Sequence, residues 1–322
     1  MIKLETPITK KPVFRSSATT TSITNQGAGF LGKRLTTPGY DEVMDIVKAT
    51  NTTNFAKSTT RHFNQGNVKY LDPRTIKQYI QPFEDDSMYN AVALTNMGAY
   101  YNAVMCLLAA LLGYFPVPSI YVEFSKYGTC QAIRKGLEAF GIFKRVMGKH
   151  FHGADWNGSC GNSSDDITKN FSKLVMLGEK IQEEYPDDIH SIKYSLFHPT
   201  EHFRELTKYF QILHGINSIN AGLLDAELER MSPLLGLKNI NFGGSISGGR
   251  IFEPGIKKNR EVARAVEGTD CRLVFSGGIT TFDRARQYFD EIIDEKKHSI
   301  GICSGIERKP EEAKKILLHY NT

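Results

Sequence analysis

A short polar stretch, Trp156-Asn157-Gly158-Ser159-Cys160-Gly161-Asn162, places an indole, two amides, a hydroxyl and a thiol close together in the sequence. Asn and Gly are disfavoured inside regular elements, so this stretch is predicted to be a loop after a short strand. A thiol flanked by amides can remove a proton from a planar polar substrate that the amides hold by hydrogen bonds. We expect the chemistry here, with Cys160 as the base; the alternative is an inert buried thiol.

Two lysines on predicted strands could bring positive charge to the same site. Lys57 lies near the end of the predicted strand 54–60, and Lys193 lies inside the predicted strand 190–195. Positive charge next to a reducible ring or an anionic substrate stabilises negative charge that develops there. Read alone, Lys57 is equally consistent with an ordinary surface lysine.

Glycine-rich turns follow two late predicted strands. Ser276-Gly277-Gly278 exposes backbone N–H groups, and the helix that follows turns its positive end the same way, which favours an anion site. Ser304-Gly305 on the next strand would complete a phosphate cradle of the kind found after strands seven and eight of barrels. The alternative is that these glycines only form tight turns. Neither a Walker A motif nor an early GxGxxG is present, so a single phosphate, as in FMN, fits best.

The predicted elements alternate between strand and helix about eight times, which indicates a parallel sheet. The predicted strands include 12–18, 54–60, 89–94, 119–124, 190–195, 215–220, 273–276 and 299–305. The predicted helices include 41–49, 131–140, 164–184, 201–212, 258–266, 282–292 and 310–320. We predict an α/β fold, a single (β/α)8 TIM barrel over residues 1–322 with loop insertions on its C-terminal face, rather than a six-stranded open sheet. In a barrel the strand ends converge, so residues from 18 to 305 can meet around one ligand.

Composition excludes several other classes of protein. The chain has 322 residues, 40% of them hydrophobic, and a net charge of +5 without a long Lys/Arg run, which argues for a local anion pocket and against nucleic acid. Its five cysteines are widely spaced and form no CxxC, so we expect a reducing cytoplasm and neither a zinc site nor a disulfide framework. His150 and His152 are too close together for an HxxxH motif, and no metal is predicted. The apolar run 103–115 is shorter than the roughly 20 residues that span a bilayer, so no membrane association is expected.

Five segments in sequence order resemble the dihydroorotate dehydrogenase family, specifically its soluble class 1 branch. Phe55-Ala56-Lys57-Ser58 resembles the strand that ends in T-K-S, and residues 90–96 resemble N-S-M-G-L-P-N. Asn157-Gly158-Ser159-Cys160-Gly161-Asn162 resembles the active-site loop N-x-S-C-P-N. Residues 216–219 resemble V-N-S-I, and residues 277–279 resemble a late G-G-I. The resemblance covers most of the chain.

The resemblance implies an enzyme of pyrimidine biosynthesis that holds FMN at the top of the barrel and oxidises dihydroorotate to orotate. Cys160 would remove the C5 proton, while the C6 hydride would pass to flavin N5. Positions that match substrate-binding residues are Asn90, Asn157, Asn162, Asn217 and Ser218. Lys57 matches a lysine near both flavin and substrate, and Lys193 matches one near flavin N1. The remaining positions that match cofactor contacts are Ser17, Ala18, Ser58, Gly248, Gly249, Gly277, Gly278, Ser304 and Gly305.

Several positions depart from the family pattern. Gly161 replaces the proline after the cysteine, and Ser163-Ser164-Asp165-Asp166 replaces the Pro/Gly-rich lid segment. Residues 66–70 lack the expected proline and arginine, and Ser304-Gly305 replaces Gly-Thr. The alternatives are therefore an FMN oxidoreductase for another dihydropyrimidine or an enoate, or a flavin-binding protein without turnover. By resemblance the enzyme would be a homodimer with fumarate as its electron acceptor; an NAD-linked form would need an iron–sulfur partner chain.

Overall fold

Eight parallel strands form a closed barrel in the computed structural model of the chain. The model describes residues 21–24, 39–67, 79–92, 94–158, 171–215, 218–220, 244–292 and 298–321. Around the barrel the strands follow the order β1, β2, β5, β6, β7, β8, β11, β12. Their bounds are Thr21–Thr24 (β1), Thr53–Thr59 (β2), Phe115–Tyr121 (β5), Ala154–Asn157 (β6), His190–Lys193 (β7), Ile212–His214 (β8), Arg272–Ser276 (β11) and Ser299–Ile302 (β12). Each barrel strand pairs in parallel with both neighbours, and β1 pairs with β12 and β2 to close the ring.

Helices on the outside of the barrel connect most of these strands. Their bounds are Tyr40–Ala49 (α1), Ala99–Leu111 (α2), Thr129–Met147 (α3), Phe171–Glu184 (α4), Phe203–Leu206 (α5), Phe252–Ala265 (α6), Phe282–Glu291 (α7), Ser304–Arg308 (α8) and Pro310–Asn321 (α9). Short 3₁₀ turns cover Gly148–His150, Thr200–His202 and Gly249–Ile251. None of the helices in the described ranges is long and apolar enough to cross a lipid bilayer.

A second, antiparallel sheet is inserted into the barrel sequence. It consists of β3 (Ile80–Pro82), β4 (Ser87–Asn90), β10 (Ser245–Gly248) and β9 (Ile219–Asn220), in the spatial order β3-β4-β10-β9. Strands β3 and β4 lie between β2 and α2, and β9 and β10 lie between β8 and α6. The end of β10 reaches the C-terminal ends of β11 and β12, where Gly248, Gly278 and Ser304 line one cavity. The insertion therefore lies on the C-terminal face of the barrel.

Side chains along β6 point alternately to the outside and to the interior of the barrel. Trp156 points outward and stacks on Phe140 of α3, with ring centroids 5.6 Å apart and planes inclined by 10°. Its indole N–H donates to Nδ1 of His190 (3.2 Å), and Nε2 of His190 lies 3.0 Å from the carbonyl of Tyr185. Burial lowers the pKa of His190 to about 4, which keeps Nδ1 free to accept the indole proton. Asp155, which directly precedes Trp156 in β6, faces the barrel interior.

The barrel interior changes from apolar to polar along its axis. An apolar cluster fills one part of it, formed by Phe55, Phe115, Val117, Ile189, Ile212 and Val274. Toward the C-terminal strand ends, the inward positions become Ser119 on β5, Asp155 on β6 and Ser191 on β7. The apolar cluster keeps water from the lower barrel, so polar groups above it interact with one another or with a ligand at the mouth.

The predicted barrel is confirmed, but several element assignments are wrong. The strand between β12 and β2 is Thr21–Thr24 and not 12–18, which lies outside the described residues. Residues 87–90 belong to the second sheet, so the predicted strand 89–94 is not part of the barrel. The predicted strand 119–124 begins earlier, at Phe115.

Two further assignments near β8 are also wrong. The amphipathic stretch 201–212 forms only a 3₁₀ turn and the four-residue helix Phe203–Leu206, because Ile212 already pairs with Ser191 and Arg272 in the barrel. The predicted strand 215–220 begins after β8 has ended at His214, and Ile219–Asn220 pairs with the second sheet instead. Both errors arise because tertiary pairing overrides a local pattern. The organisation of residues 1–322 as a single domain stays a prediction.

Candidate active site

A bulge in β2 turns Ser58 into the barrel. Phe55 pairs with Val117 and Ser58 with Ser119, so β2 uses one more residue than β5 over the same span. Ser58 Oγ lies 3.2 Å from Ser119 Oγ and accepts a hydrogen bond from Asn157 Nδ2 (3.0 Å). Lys57 lies inside the bulge and is half-buried. The bulge thus connects the predicted residues Ser58 and Asn157 across the barrel.

The carboxylate of Asp155 is the centre of the polar interior. It is fully buried and accepts hydrogen bonds from Ser191 Oγ (2.7 Å) and Ser119 Oγ (3.3 Å). Lys193 Nζ lies 3.3 Å from Oδ2, and His214 Nδ1 lies 3.2 Å from Oδ1. Since Ser119 donates to Asp155, Ser58 donates to Ser119, and Asn157 to Ser58. This chain of hydrogen bonds runs from a predicted substrate-binding residue to the carboxylate, and each bond polarises the next.

The electrostatics of this cluster favour an ionised carboxylate beside a neutral imidazole. Burial alone raises the pKa of Asp155, but the His214 ring in its protonated form, the Lys193 ammonium and the hydrogen bonds from His214 and Ser191 outweigh it and lower the pKa to about 2. Burial lowers the pKa of His214, and Asp155 opposes that shift only in part. At neutral pH His214 is therefore uncharged, and the Lys193 ammonium supplies the charge that balances Asp155.

Two nitrogen atoms of the cluster keep unused hydrogen-bonding capacity. With Nδ1–H of His214 directed at Asp155, its Nε2 lone pair is buried and has no hydrogen-bond partner among the described residues. Lys193 Nζ is also buried, and its 3.3 Å contact with Asp155 is an ion pair without hydrogen-bond geometry. The ammonium therefore keeps donors for an acceptor that would enter from the barrel mouth.

A second part of the site is a cradle formed by three strand ends. The cavity there is lined by residues that follow β10, β11 and β12, namely Gly248, Ser276, Gly277, Gly278, Ile279, Thr280, Gly301, Cys303 and Ser304. Gly277 and Gly278 have φ angles of +118° and +74°, and a Cβ on Gly278 would come within 2.6 Å of the Phe252 backbone. Their backbone N–H groups make no hydrogen bond in the described part of the chain. Such a pair of unpaired N–H groups forms an anion-binding concavity.

All six glycine and serine positions predicted for the phosphate site gather here. Ser304 Oγ donates to Ser247 Oγ (2.7 Å), which ties the start of α8 to β10. A Cβ on Gly305 would lie 2.8 Å from the carbonyl of Ile279, and a Cβ on Gly249 would collide with the Asp86 carboxylate. The close approach of these segments explains why each carries a residue without a bulky side chain.

Charged side chains surround the cradle on the side of the second sheet. The Asp86 carboxylate is paired with Arg284 Nη1 (2.5 Å), lies 3.9 Å from Lys309 Nζ and accepts a hydrogen bond from Thr280 Oγ1. Arg284 Nη1 also contacts Thr280 Oγ1 (2.6 Å) and the carbonyl of Gly278 (3.4 Å). Two cations on one carboxylate leave a positive surplus beside the cradle, which favours a bound anion.

A buried amide supports the cradle from behind. Asn259 Nδ2 donates to the carbonyl of Ser276 (3.0 Å) and to Tyr288 Oη (2.8 Å), and Asn259 Oδ1 accepts from Tyr194 Oη (2.5 Å). Tyr288 Oη lies 3.5 Å from the carbonyl of Gly277. Since these bonds use the carbonyls of Ser276 and Gly277, the N–H groups of the turn point away from them, toward the cavity.

The predicted substrate-binding residues are only partly described. Asn90 ends β4, and its Oδ1 accepts a hydrogen bond from the Val92 N–H (2.8 Å), while no described residue accepts from its Nδ2. Ser218 is half-buried and directly precedes β9. Asn90 ends and Ser218 precedes a strand that flanks β10, so both residues approach the mouth from the second sheet.

Five predicted site residues lie outside the described residues, namely Ser17, Ala18, Cys160, Asn162 and Asn217. In the sequence, Cys160 and Asn162 follow the end of β6, and Asn217 follows the end of β8. Ser17 and Ala18 were expected to follow the first barrel strand. They precede β1 in the sequence, so the strand that was to position them is misassigned.

One histidine pair has a spacing that is common among metal ligands. His198 and His202 form an HxxxH motif, and their ring centroids are 5.5 Å apart. Both ring nitrogens of His198 are buried and have no hydrogen-bond partner in the described part of the chain, and burial together with nearby His202 and Lys258 lowers its pKa to about 3. A lysine next to the rings disfavours a metal cation, and no group of three metal-ligating side chains occurs in the described ranges. The predicted lack of a metal stays a prediction.

Sequence reasoning missed Asp155, His214, Asn259 and the pair Asp86–Arg284. A signal was present for Asp155, since it lies two residues before Asn157 in a strand and must share its face. His214 likewise lies two residues after the apolar Ile212 on a strand that points inward. No local pattern distinguishes Asn259 or Asp86, because their partners lie far away in the sequence.

Comparisons with known proteins add a general likeness in shape. No protein-family model matches the chain, and no curated protein matches it in sequence. Tryptophan synthase from Mycobacterium tuberculosis has a TM-score of 0.46 at 9% identity, with 96% of this chain and 92% of that chain covered. The noncanonic maltogenic α-amylase AmyB from Thermotoga neapolitana has a TM-score of 0.46 at 6% identity, with 95% and 77% covered. At these scores the likeness supports no conclusion about activity, and none of these proteins is a dihydroorotate dehydrogenase.

The buried ion pair leads to a prediction about stability. Asp155→Asn leaves the Lys193 ammonium buried without a counter-charge, so we expect a loss of about 3–5 kcal/mol in the free energy of unfolding. Replacing the lysine as well, in Asp155→Asn/Lys193→Met, should recover much of that loss, because no unpaired charge remains. Urea unfolding followed by the fluorescence of Trp156, the single tryptophan, measures both.

The matched control is Lys144→Met, which removes a half-exposed partner of Asp188. It should cost less than about 1 kcal/mol. If the double variant is as unstable as Asp155→Asn, Lys193 does not carry the charge that Asp155 balances.

The lowered pKa of His214 leads to a prediction about pH. Below about pH 6.5 the unfolded chain protonates this histidine while the folded chain does not, so stability must fall as the pH decreases. His190 and His198, whose pKa values are also lowered, act in the same direction. The contribution of Asp155 persists until about pH 4 and is lost as the pH falls toward 2.

The measurement is the free energy of urea unfolding at several pH values between 5 and 7. His214→Asn should reduce the pH slope by up to one proton, or about 1.4 kcal/mol per pH unit. An unchanged slope in His214→Asn would show that this histidine is not held neutral.

Proposed function

We propose that the chain is an FMN-dependent oxidoreductase that converts dihydroorotate to orotate. One observation carries the proposal: a buried lysine with unused donors and a cradle of unpaired backbone N–H groups lie on the same face of one barrel. The lysine and the cradle together fit a ligand that has a phosphate at one end and a ring with acceptor atoms at the other. The five sequence segments that resemble the dihydroorotate dehydrogenase family support the same ligand.

The described residues fit FMN in two respects. The N–H groups of Gly277 and Gly278, with the positive surplus from Arg284 and Lys309, suit a phosphate dianion. The ammonium of Lys193, whose donors are not used by Asp155, suits an acceptor edge that gains negative charge. When bound, FMN supplies an acceptor for a hydride, which no side chain of the chain can provide.

Residues of the chain would bind the substrate, hold positive charge next to it and accept its proton. Lys193 holds positive charge at the mouth, and Asp155 keeps it in place from below. Asn157 and Asn90 offer amide groups, and the free Nδ2 of Asn90 can donate to a carboxylate or carbonyl of the substrate. Cys160 would take the C5 proton of dihydroorotate on its sulfur as the substrate loses a hydride from C6. Lys57, in the bulge next to Ser58, would add a second positive charge for the anionic substrate.

The thiol must be ionised, or relay its proton, for this role. A free cysteine has a pKa near 8.5, and nearby lysines lower it. Lys57 and Lys193, at the ends of β2 and β7, are the lysines proposed to do so. Closure of the site against water would strengthen their effect by lowering the local dielectric constant.

The experiment is the anaerobic addition of dihydroorotate to purified protein loaded with FMN. We expect the oxidised-flavin absorption band to bleach, and Cys160→Ala should keep the flavin while slowing the bleaching about 10²–10⁴-fold at neutral pH. Cys130→Ala, at an exposed cysteine on α3, is the matched control and should bleach like the unchanged protein.

The outcomes separate the proposal from its alternatives. A yellow protein that dithionite bleaches but dihydroorotate does not would exclude this substrate; bleaching by another dihydropyrimidine or an enoate would then identify a related oxidoreductase. A yellow protein that no such substrate bleaches would be a flavin-binding protein without turnover. A protein that takes up no FMN would overturn the proposal altogether.

A further inference from the structure

Three arginines, one from each segment of the cradle, converge on a single loop of the second sheet. The loop consists of residues 83–86, which connect β3 and β4, and we call it the 83–86 loop. Arg250 directly follows Gly249, after β10. Arg284 lies in the first turn of α7, after β11, and Arg308 ends α8, after β12. The loop is therefore tied to all three strand ends that form the anion cavity.

Two of these arginines hold the outer part of the loop. Arg250 Nε donates to the Asp85 carboxylate (2.6 Å), and its guanidinium lies 4.4 Å from the centre of the Phe83 ring. Arg308 Nη2 donates to the carbonyls of Phe83 (2.7 Å) and Asp85 (2.8 Å). Hydrogen bonds from a charged donor are stronger than those between neutral groups, so both arginines fix the loop to the ends of β10 and α8.

Asp86 connects the loop to residues of the cavity wall. Its carboxylate pairs with Arg284 Nη1 (2.5 Å) and accepts a hydrogen bond from Thr280 Oγ1, and Thr280 lines the cavity. Arg284 Nη1 in turn lies 3.4 Å from the carbonyl of Gly278. A Cβ on Gly249 would lie 1.8 Å from Asp86 Oδ1, so the carboxylate packs directly against the Gly249 backbone. One carboxylate thus contacts both the turn after β10 and the turn after β11.

Strand β4 connects the same loop to Asn90. It runs antiparallel to β10, with Ser87 opposite Gly248 and Asn90 opposite Ser245. Ser245 Oγ donates to the Asn90 carbonyl (3.2 Å), which fixes the far end of the pair. At about 3.4 Å per residue, the strand places Asn90 about 10 Å from Ser87. A displacement of the 83–86 loop is therefore transmitted to Asn90 through paired backbone.

We propose that Asp86 is a positioning residue for both ends of the ligand site: it holds the cradle turns together and sets where Asn90 lies relative to them. This inference rests on the proposed function, since it takes the cradle as the phosphate site and Asn90 as a substrate-binding residue. Asp86 acts through Arg284 and through β4. A carboxylate repels a nearby phosphate, so the charge of Asp86 alone weakens phosphate binding. The positioning role requires that the ordering of the cradle outweighs this repulsion.

The direction of one effect distinguishes positioning from charge. Asp86→Asn keeps the size of the side chain and its packing against Gly249, but it removes the charge that anchors Arg284. We expect this variant to bind FMN about tenfold more weakly, which is a typical coupling between linked sites. Its affinity for riboflavin, which lacks the phosphate, should stay unchanged. An effect of charge alone predicts the opposite, namely tighter binding of FMN.

Titration of apoprotein, followed by quenching of flavin fluorescence, measures both affinities. The matched control is Asp283→Asn, which removes an equal charge from an exposed position on the same helix as Arg284. Because water and salt screen that charge, the ratio of the two dissociation constants should stay nearly unchanged.

Asp85→Asn is a second variant, should Asp86→Asn fail to fold. The new amide oxygen can still accept the hydrogen bond from the Ser87 N–H, whereas the charge that holds Arg250 is lost. We expect a weaker preference for FMN over riboflavin in this variant as well.

The link to Asn90 is tested on protein saturated with FMN. Asp86→Asn should raise the dihydroorotate concentration that half-saturates anaerobic bleaching by about tenfold, and it should change the limiting rate less. Asn90→Ala should have the same effect. Adding Asp86→Asn to Asn90→Ala should then change little, because the effects of residues that act through one another are not additive.

The outcomes separate this inference from the proposed function. If Asp86→Asn binds FMN as tightly as the unchanged protein or more tightly, or loses FMN and riboflavin equally, the positioning role is overturned while the proposed function stands. Additive effects of Asp86→Asn and Asn90→Ala would overturn the link to Asn90.

A protein that takes up no FMN contradicts the proposed function, and inorganic phosphate is then the probe. The positioning role requires phosphate to raise the thermal unfolding midpoint of the unchanged protein more than that of Asp86→Asn. An equal rise in both proteins, or no rise in either, would overturn the positioning role too.

Discussion

The carboxylate of Asp155 is the constraint on which the barrel interior depends. An ionised group at zero exposure is tolerable only if its charge and lone pairs are matched, and here Ser119, Ser191, Lys193 and His214 supply that match. These partners come from the neighbouring strands β5, β7 and β8, so one carboxylate fixes the relative heights of four strands. The same contacts determine what the mouth presents to a ligand: a lysine with spare donors and a neutral imidazole.

The cradle and the Asp155 cluster are formed by strands in opposite halves of the barrel. Strands β11 and β12 carry the glycine turns, whereas β2, β5, β6, β7 and β8 carry the side chains of the cluster, and β8 pairs with β11 to join the two halves. At this junction the Gly215 N–H donates to the carbonyl of Val274 (2.7 Å), and Tyr194, which directly follows β7, reaches Asn259 behind the cradle. A displacement of either half is thus transmitted through packed backbone and not through a flexible loop. This arrangement suits a ligand with one end in each half.

Much of the fold followed from local patterns, because strands such as β2, β7 and β12 combine apolar alternation with a turn at the right distance. The exceptions were segments whose partners lie far away. Residues 87–90 have the alternation of a barrel strand, and only their pairing with β10, more than 150 positions later, assigns them to the second sheet. The glycine turn, by contrast, could be predicted from the sequence. Gly277-Gly278 forms its turn and exposes its N–H groups through its own backbone conformation, without help from distant residues. Asp155 was overlooked because its role appears only when three other strands meet it.

The central claim is that the barrel mouth binds a phosphorylated flavin through the cradle, and the most direct test compares FMN with riboflavin. Titration of apoprotein, followed by quenching of flavin fluorescence, gives both dissociation constants. If the Gly277 and Gly278 N–H groups hold the phosphate as proposed, one FMN per chain should bind at least about 100-fold more tightly than riboflavin, since hydrogen bonds to a charged group contribute about 1.5–3 kcal/mol each. Equal affinity for the two flavins, or no affinity for either, would contradict the account.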